Sequence, residues 1–151
     1  MKTHHTKEKG DLGLMYAQLD LCKKGFKVFL PTSEHTPFDL IAYKDYKCYR
    51  IQVKYRQKDK FGAISIKFAS CWADKHGSHT SFIDKQDVDY WCFYCPDTNE
   101  CYYINPNEFK KSITLRIDEA KQHSNTNEIH YCQNYRDIKI TPPELESGTS
   151  F

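Results

Sequence analysis

No apolar run in the chain approaches the roughly 18 residues that a membrane-spanning helix requires, so none is expected. The amino-terminal stretch MKTHHTKEKGD lacks the apolar core of a secretory signal, and a cytoplasmic location, in a bacterium or an organelle, is the expectation. There is little excess of one charge: the formal net charge is +2 over 151 residues, which by itself selects no partner. No internal repeat and no second domain is visible, so residues 1–141 are expected to form one domain with a real core. Residues 142–151, acidic and rich in Ser and Gly, are expected to be a flexible tail. A full zinc set is also missing. CFYCPDTNEC supplies Cys92, Cys95 and Cys101, one close pair and a third thiol, whereas structural zinc takes four ligands, often as two pairs. Cys92 lies in VDYWCFY, which reads as a buried strand where free cysteine acts as a small core residue. A zinc-stabilised binding module is therefore only an alternative.

What is present is a localised basic stretch. Between Lys44 and Lys67 stand eight Lys or Arg against two Asp. Such a segment suits a phosphate-facing surface, or a solvated sheet edge protected by lysines. The elements around it follow from periodicity. Leu12, Met15, Leu19 and Cys22 recur at spacings of three and four and predict a helix whose buried stripe they form, stopped at Gly25. FKVFLP, FDLIAY and CYRIQVKY read as strands, the last two joined by a KDYK turn. In CYRIQVKY, alternation puts Tyr49, Ile51, Val53 and Tyr55 on one face and Arg50, Gln52, Lys54 and Arg56 on the other. AISIKFAS predicts a fourth strand and Cys71–Lys85 a loop. DYWCFYC and ECYYINP pair as a hairpin. Asn105 and Pro106 open a short helical turn, SITLRI is a weak strand, and NEIHYCQNYRD reads as a final short helix. The pattern predicts a compact α/β sandwich with a central mixed β-sheet flanked by helices.

The chemistry gathers around one strand pair. Asp39 opens the FDLIAY strand, and the returning strand brings Gln52 and Lys54 onto one face at its far end. Carboxylate and carbonyl oxygens suit Mg²⁺, which makes a nucleophile from water and offsets charge on a phosphodiester. A nearby ammonium adds charge stabilisation. Val53, between the two, offers its backbone carbonyl while its side chain faces the core. Glu8 and Asp11 lie one turn before the predicted stripe, three residues apart, and are expected to point the same way. Acids are also favoured in a first helical turn by the dipole alone.

The order PFD, twelve residues, then QVK resembles the signature of the PD-(D/E)XK nuclease superfamily. Pro37 and Asp39 stand for its Pro-Asp, and Gln52, Val53 and Lys54 for its acid-x-Lys. Over about the first 140 residues the chain is similar, more narrowly, to the small group I intron-encoded homing endonucleases of cyanobacteria. The resemblance implies a restriction-endonuclease-like fold and a sequence-specific endonuclease that hydrolyses double-stranded DNA with Mg²⁺. Mn²⁺ would substitute, and Ca²⁺ would bind without supporting cleavage. It implies that Asp39 and Gln52 bind metal, with Glu8 or Asp11 as the helix acid, and that Lys54 sits by the attacked phosphate. Gln52 departs from the pattern: an amide oxygen is a weaker ligand than a carboxylate and brings no charge. A non-catalytic DNA-binding protein on the nuclease fold is the rival that this departure suggests.

Candidate DNA contacts are Arg50, Arg56, Lys58, Lys60 and Lys67 on or beside the basic sheet region. Lys75, His76, Ser78, His79 and Thr80 in the following loop are further candidates. One constellation per chain attacks one strand, so a homo-oligomer is expected, a tetramer before a dimer. Aromatic side chains between Tyr90 and Tyr103 are candidates for its interface.

Overall fold

The computed structural model describes residues 5–119 and 129–140, so the expected tail over 142–151 lies outside the described residues. The chain opens with α1 (His5–Lys23). Gly25, at φ +86°, ends it: Phe26 N–H donates to the Leu21 carbonyl and Gly25 N–H to that of Cys22. This six-to-one, five-to-two pair is the Schellman arrangement, and its left-handed residue is strain-free only as glycine.

Three strands follow, β1 (Lys27–Phe29), β2 (Leu40–Lys44) and β3 (Lys47–Tyr55). β2 and β3 close tightly through Asp45 and Tyr46, both at positive φ, as the two central residues of a type I′ hairpin turn must be. β4 (Ala63–Lys67) comes next, then β5 (Ala69–Asp74) and β6 (Gly77–Phe82). The expected loop over Cys71–Lys85 is therefore corrected. Most of it is an antiparallel ribbon, which the sequence hid because its strands carry polar residues on both faces and show no alternation. β7 (Tyr90–Cys95) and β8 (Glu100–Ile104) form the expected hairpin. A 3-10 turn, Pro106–Glu108, is capped by the Asn105 side chain. SITLRI yields a five-residue strand, β9 (Ser112–Arg116). The final helix expected in NEIHYCQNYRD is replaced by β10 (His130–Tyr131) and a 3-10 turn, Cys132–Tyr135. Residues 127 and 128 of that segment are outside the described residues.

The central sheet runs β1-β2-β3-β7-β8 and is mixed: β3 and β7 are parallel, the other neighbours antiparallel. A second sheet, β10-β9-β4, lies over one face, and α1 over the other. This is the expected α/β sandwich with a central mixed sheet, helix α1 on one face and the second sheet on the other. Two cores result. Ala17, Leu21, Leu40, Ile51, Tyr90 and Tyr103 meet beneath α1. Ile64, Phe68, Trp91, Phe93, Tyr102 and Leu115 meet between the sheets. Truncating a fully buried residue such as Leu21 to Ala would cost about 2–5 kcal/mol.

Two expectations about packing are overturned. The buried stripe of α1 is Gly13, Ala17 and Leu21. Leu12, Met15 and Leu19 are 38%, 58% and 51% exposed, and Cys22 is exposed too. The reason is bulk: Gly13 and Ala17 let the helix axis approach β3 closely, at Tyr55, and the larger residues are turned outward. The aromatic residues between Tyr90 and Tyr103 are buried inside the domain, so they supply no interface. The three thiols also diverge. Cys92 and Cys101 belong to the core beneath α1 and Cys95 to the core between the sheets, because β7 alternates its faces. Among the described residues no helix is long and apolar enough to cross a membrane.

Candidate active site

The β2–β3 hairpin positions the group. At the end away from the turn, Asp39 N–H donates to the Ile51 carbonyl at 2.9 Å. The Asp39 carboxylate accepts the Val53 N–H at 2.7 Å. The carboxylate thus replaces a backbone carbonyl where β2 has not yet begun, and its two links to β3 bracket Gln52. Approach to Asp39 is set by Thr36, whose hydroxyl donates to the Phe38 carbonyl at 2.8 Å, and by Phe38, which packs on the core between the sheets.

Strand alternation then decides which side chains share the site. Val53 and Tyr55 face α1. Gln52 and Lys54 face the other way, beside Trp91 and Phe93, their parallel partners on β7. Lys54 Nζ stands 5.4 Å from the centre of the Trp91 ring. Lys54 is half-buried, and loss of water pushes its pKa below the ordinary lysine value; neighbouring Arg56 lowers it further and the Asp39 carboxylate partly opposes both. Asp39, Gln52 and Lys54 are therefore gathered at one strand end.

Glu8 and Asp11 lie on α1, which covers the face of the central sheet opposite to the one that Gln52 and Lys54 share with Trp91 and Phe93. The first turns of α1 do reach the end of β3, with Lys9 Nζ 5.7 Å from the Tyr55 ring and Gly13 against Tyr55. Both acids, however, are on the outward, exposed side of the helix and form no ion pair among the described residues. Their predicted place near a buried edge followed from the stripe that the structure turns outward. Among the described residues no group of three or more His, Cys, Asp or Glu side chains is assembled that could hold a metal. Asp39 is the one carboxylate in the group, and Gln52 adds an amide oxygen; an all-oxygen set of this kind fits a hard divalent cation such as Mg²⁺.

The basic candidates separate by their surroundings. Arg50 is committed to Asp89: its Nε and Nη2 each donate at 3.2 Å, and its backbone N–H adds a bond at 2.7 Å. Its fork therefore ties β3 to the start of β7. Arg56, Lys58 and Lys60 are exposed past the end of β3. Lys58 is 3.5 Å from Asp118, and the loop carrying Lys60 is held by the Asp59 carboxylate on the N–H groups of Phe61 and Ala63. Lys67 lies over the Phe82 ring at 5.6 Å, with Lys111 over the same ring at 5.4 Å. These three residues line a groove of ≈ 340 Å³ whose walls also carry the hydroxyls of Ser65, Ser112 and Thr114. No acid lines it. Lys75 and His76 are at the tip of the β5–β6 ribbon, Ser78 and Thr80 on one face, and His79 on the other, stacked on Trp72 and 3.0 Å from Asp74. Lys111, Phe82 and Trp91 were not assigned from the sequence. Lys111 lies outside the basic run, Phe82 falls in the expected loop, and Trp91 reads as an ordinary apolar strand residue.

A family model described as PD-(D/E)XK endonuclease matches residues 4–138. A solved structure, "The structure of a bacterial homing endonuclease: I-Ssp6803I", is similar at 19% identity and a TM-score of 0.68, over 87% of this chain and 88% of that one. At this identity the likeness shows the fold, which is the restriction-endonuclease-like sandwich. No curated protein matches the chain.

Proposed function

We propose that this chain, which belongs to the PD-(D/E)XK endonuclease family, is a metal-dependent, sequence-specific endodeoxyribonuclease of the intron-homing type. The observation that carries the reading is the Asp39 carboxylate, held on the Val53 N–H beside Gln52 and Lys54. In this reading Asp39, the Gln52 amide oxygen and the Val53 carbonyl would hold Mg²⁺, with Glu8 or Asp11 as the candidate helix acid. A divalent cation bound there would supply a water of lowered pKa and positive charge at the reacting phosphate. Lys54 presents its ammonium to that phosphate, and its half-buried position strengthens the interaction because less water screens it. Arg56, Lys58, Lys60, Lys67 and Lys111 supply backbone contacts to the duplex, and the β5–β6 ribbon has the width to enter a major groove. Arg50 is left out of that surface, since its fork is already bonded. A homo-oligomer, a tetramer before a dimer, places one such centre on each strand. The exposed Leu12, Met15 and Leu19 row supports assembly, because contiguous apolar surface commonly marks contact sites.

A non-catalytic DNA-binding chain on the same fold is the second reading, favoured by Gln52 in place of an acid. One experiment separates them. A supercoiled plasmid pool carrying candidate sites is incubated with the chain in Mg²⁺, Mn²⁺, Ca²⁺ or a chelator, with Asp39→Asn as control. Cleavage in Mg²⁺ and Mn²⁺, binding alone in Ca²⁺, and no cleavage by the variant are expected. Binding without scission under every condition would select the second reading.

A further inference from the structure

We propose that Trp91 is a positioning residue for the cleavage reaction: its indole face holds the Lys54 ammonium in place toward the reacting phosphate. The inference deepens the nuclease reading and rests on it. Trp91 is 2% exposed, and its ring is locked from two sides, edge-on by Phe68 at 5.3 Å and tilted by Phe93 at 5.8 Å. Its parallel partner on β3 is Gln52, so Lys54, two residues on, projects from the same face and reaches the ring at 5.4 Å. Among the described residues Lys54 Nζ forms no ion pair and no hydrogen bond; the Trp91 ring is its contact, and the Asp39 carboxylate acts on it through charge. A second observation makes the choice of indole informative. Trp91 Nε1 is buried and finds no hydrogen-bond partner among the described residues. A purely structural core position would do better with Phe or Leu, which carry no donor to leave unmet. Trp retains an advantage in one respect here: its face attracts a cation more strongly than Phe or Tyr, and most when water is excluded.

The test is a double-mutant cycle, Trp91→Leu against Lys54→Met, with Trp91→Phe as the conservative variant. Cleavage rate is read with protein in excess over the supercoiled plasmid pool in Mg²⁺, and binding to the same pool is read in Ca²⁺. In the wild-type background Trp91→Leu should slow cleavage about tenfold while binding holds, and Trp91→Phe should fall between the two. In the Lys54→Met background Trp91→Leu should cost almost nothing further, because the group it positions is gone. Equal losses in both backgrounds would make Trp91 a structural residue and overturn this inference alone. If Trp91→Leu does not fold, the same cycle is run with Trp91→Phe, and additivity there overturns it equally. A wild-type chain that binds and never cleaves overturns the nuclease reading and this inference with it.

Discussion

Replacing Asp39 separates two jobs that one carboxylate performs. Its Oδ2 accepts the Val53 N–H at 2.7 Å, a charge-assisted bond at the end of β3. Asp39→Ala removes that acceptor and leaves a half-buried N–H that water can only partly satisfy, so the cost to stability should be about 1–2 kcal/mol. For a domain of this size about 1 kcal/mol corresponds to roughly 2–4 °C in Tm, so a fall of about 2–8 °C is expected. Asp39→Asn keeps an oxygen where the carboxylate oxygen was and should keep Tm within about 2 °C, since a neutral hydrogen bond survives. Cleavage should not distinguish the two variants in this way. Both lose the negative charge that the divalent cation requires, and both should lose a factor of about 10² or more in rate. Binding to duplex in Ca²⁺ should persist, because the phosphate contacts are made by other side chains. The assays are thermal melts, single-turnover cleavage in Mg²⁺ and a binding titration. Near-wild-type cleavage by Asp39→Asn would refute the assignment of charge, and an unchanged melting point in Asp39→Ala would refute the account of the Val53 bond.

Lys54→Ala should lower the rate per bound complex by about 10²–10³ and leave the salt dependence of binding nearly unchanged; if the rate holds and the salt slope falls, Lys54 is a backbone contact. Lys67→Ala combined with Lys111→Ala should do the reverse, weakening binding to all duplexes and reducing the salt slope by about 1–2 while sparing the rate at saturation. Arg50→Ala should cost stability by up to about 1 kcal/mol, given that its pair with Asp89 is substantially exposed, and should barely change DNA affinity; a large loss of affinity at constant stability would return Arg50 to the DNA surface. Sedimentation at micromolar protein should show a homo-oligomer that Met15→Glu with Leu19→Glu drives toward smaller species, whereas a wild-type monomer that still makes concerted double-strand breaks would refute the assembly.

The β2–β3 hairpin was legible in the residues themselves. Period-two alternation from Tyr49 to Arg56 assigns each side chain a face, and the KDYK turn sets the register that returns Gln52 and Lys54 toward Asp39. The family signature added the expected roles, and both rest on short-range spacing that survives without knowledge of the fold. The helix was legible as a helix but not as a packed helix. Its apolar period pointed to Leu12, Met15 and Leu19, whereas contact with β3 selected small Gly13 and Ala17, because interaxial distance is a property of two elements and not of one. That rotation also carried Glu8 and Asp11 outward. The β5–β6 ribbon was invisible for a related reason: a strand exposed on both faces has no hydrophobic period to read. Arg50 and Trp91 show the remaining limit. In sequence each is an ordinary strand residue, basic or aromatic. Only the parallel pairing of β3 with β7, across more than thirty intervening residues, puts Asp89 under the Arg50 guanidinium and an indole face under the Lys54 ammonium.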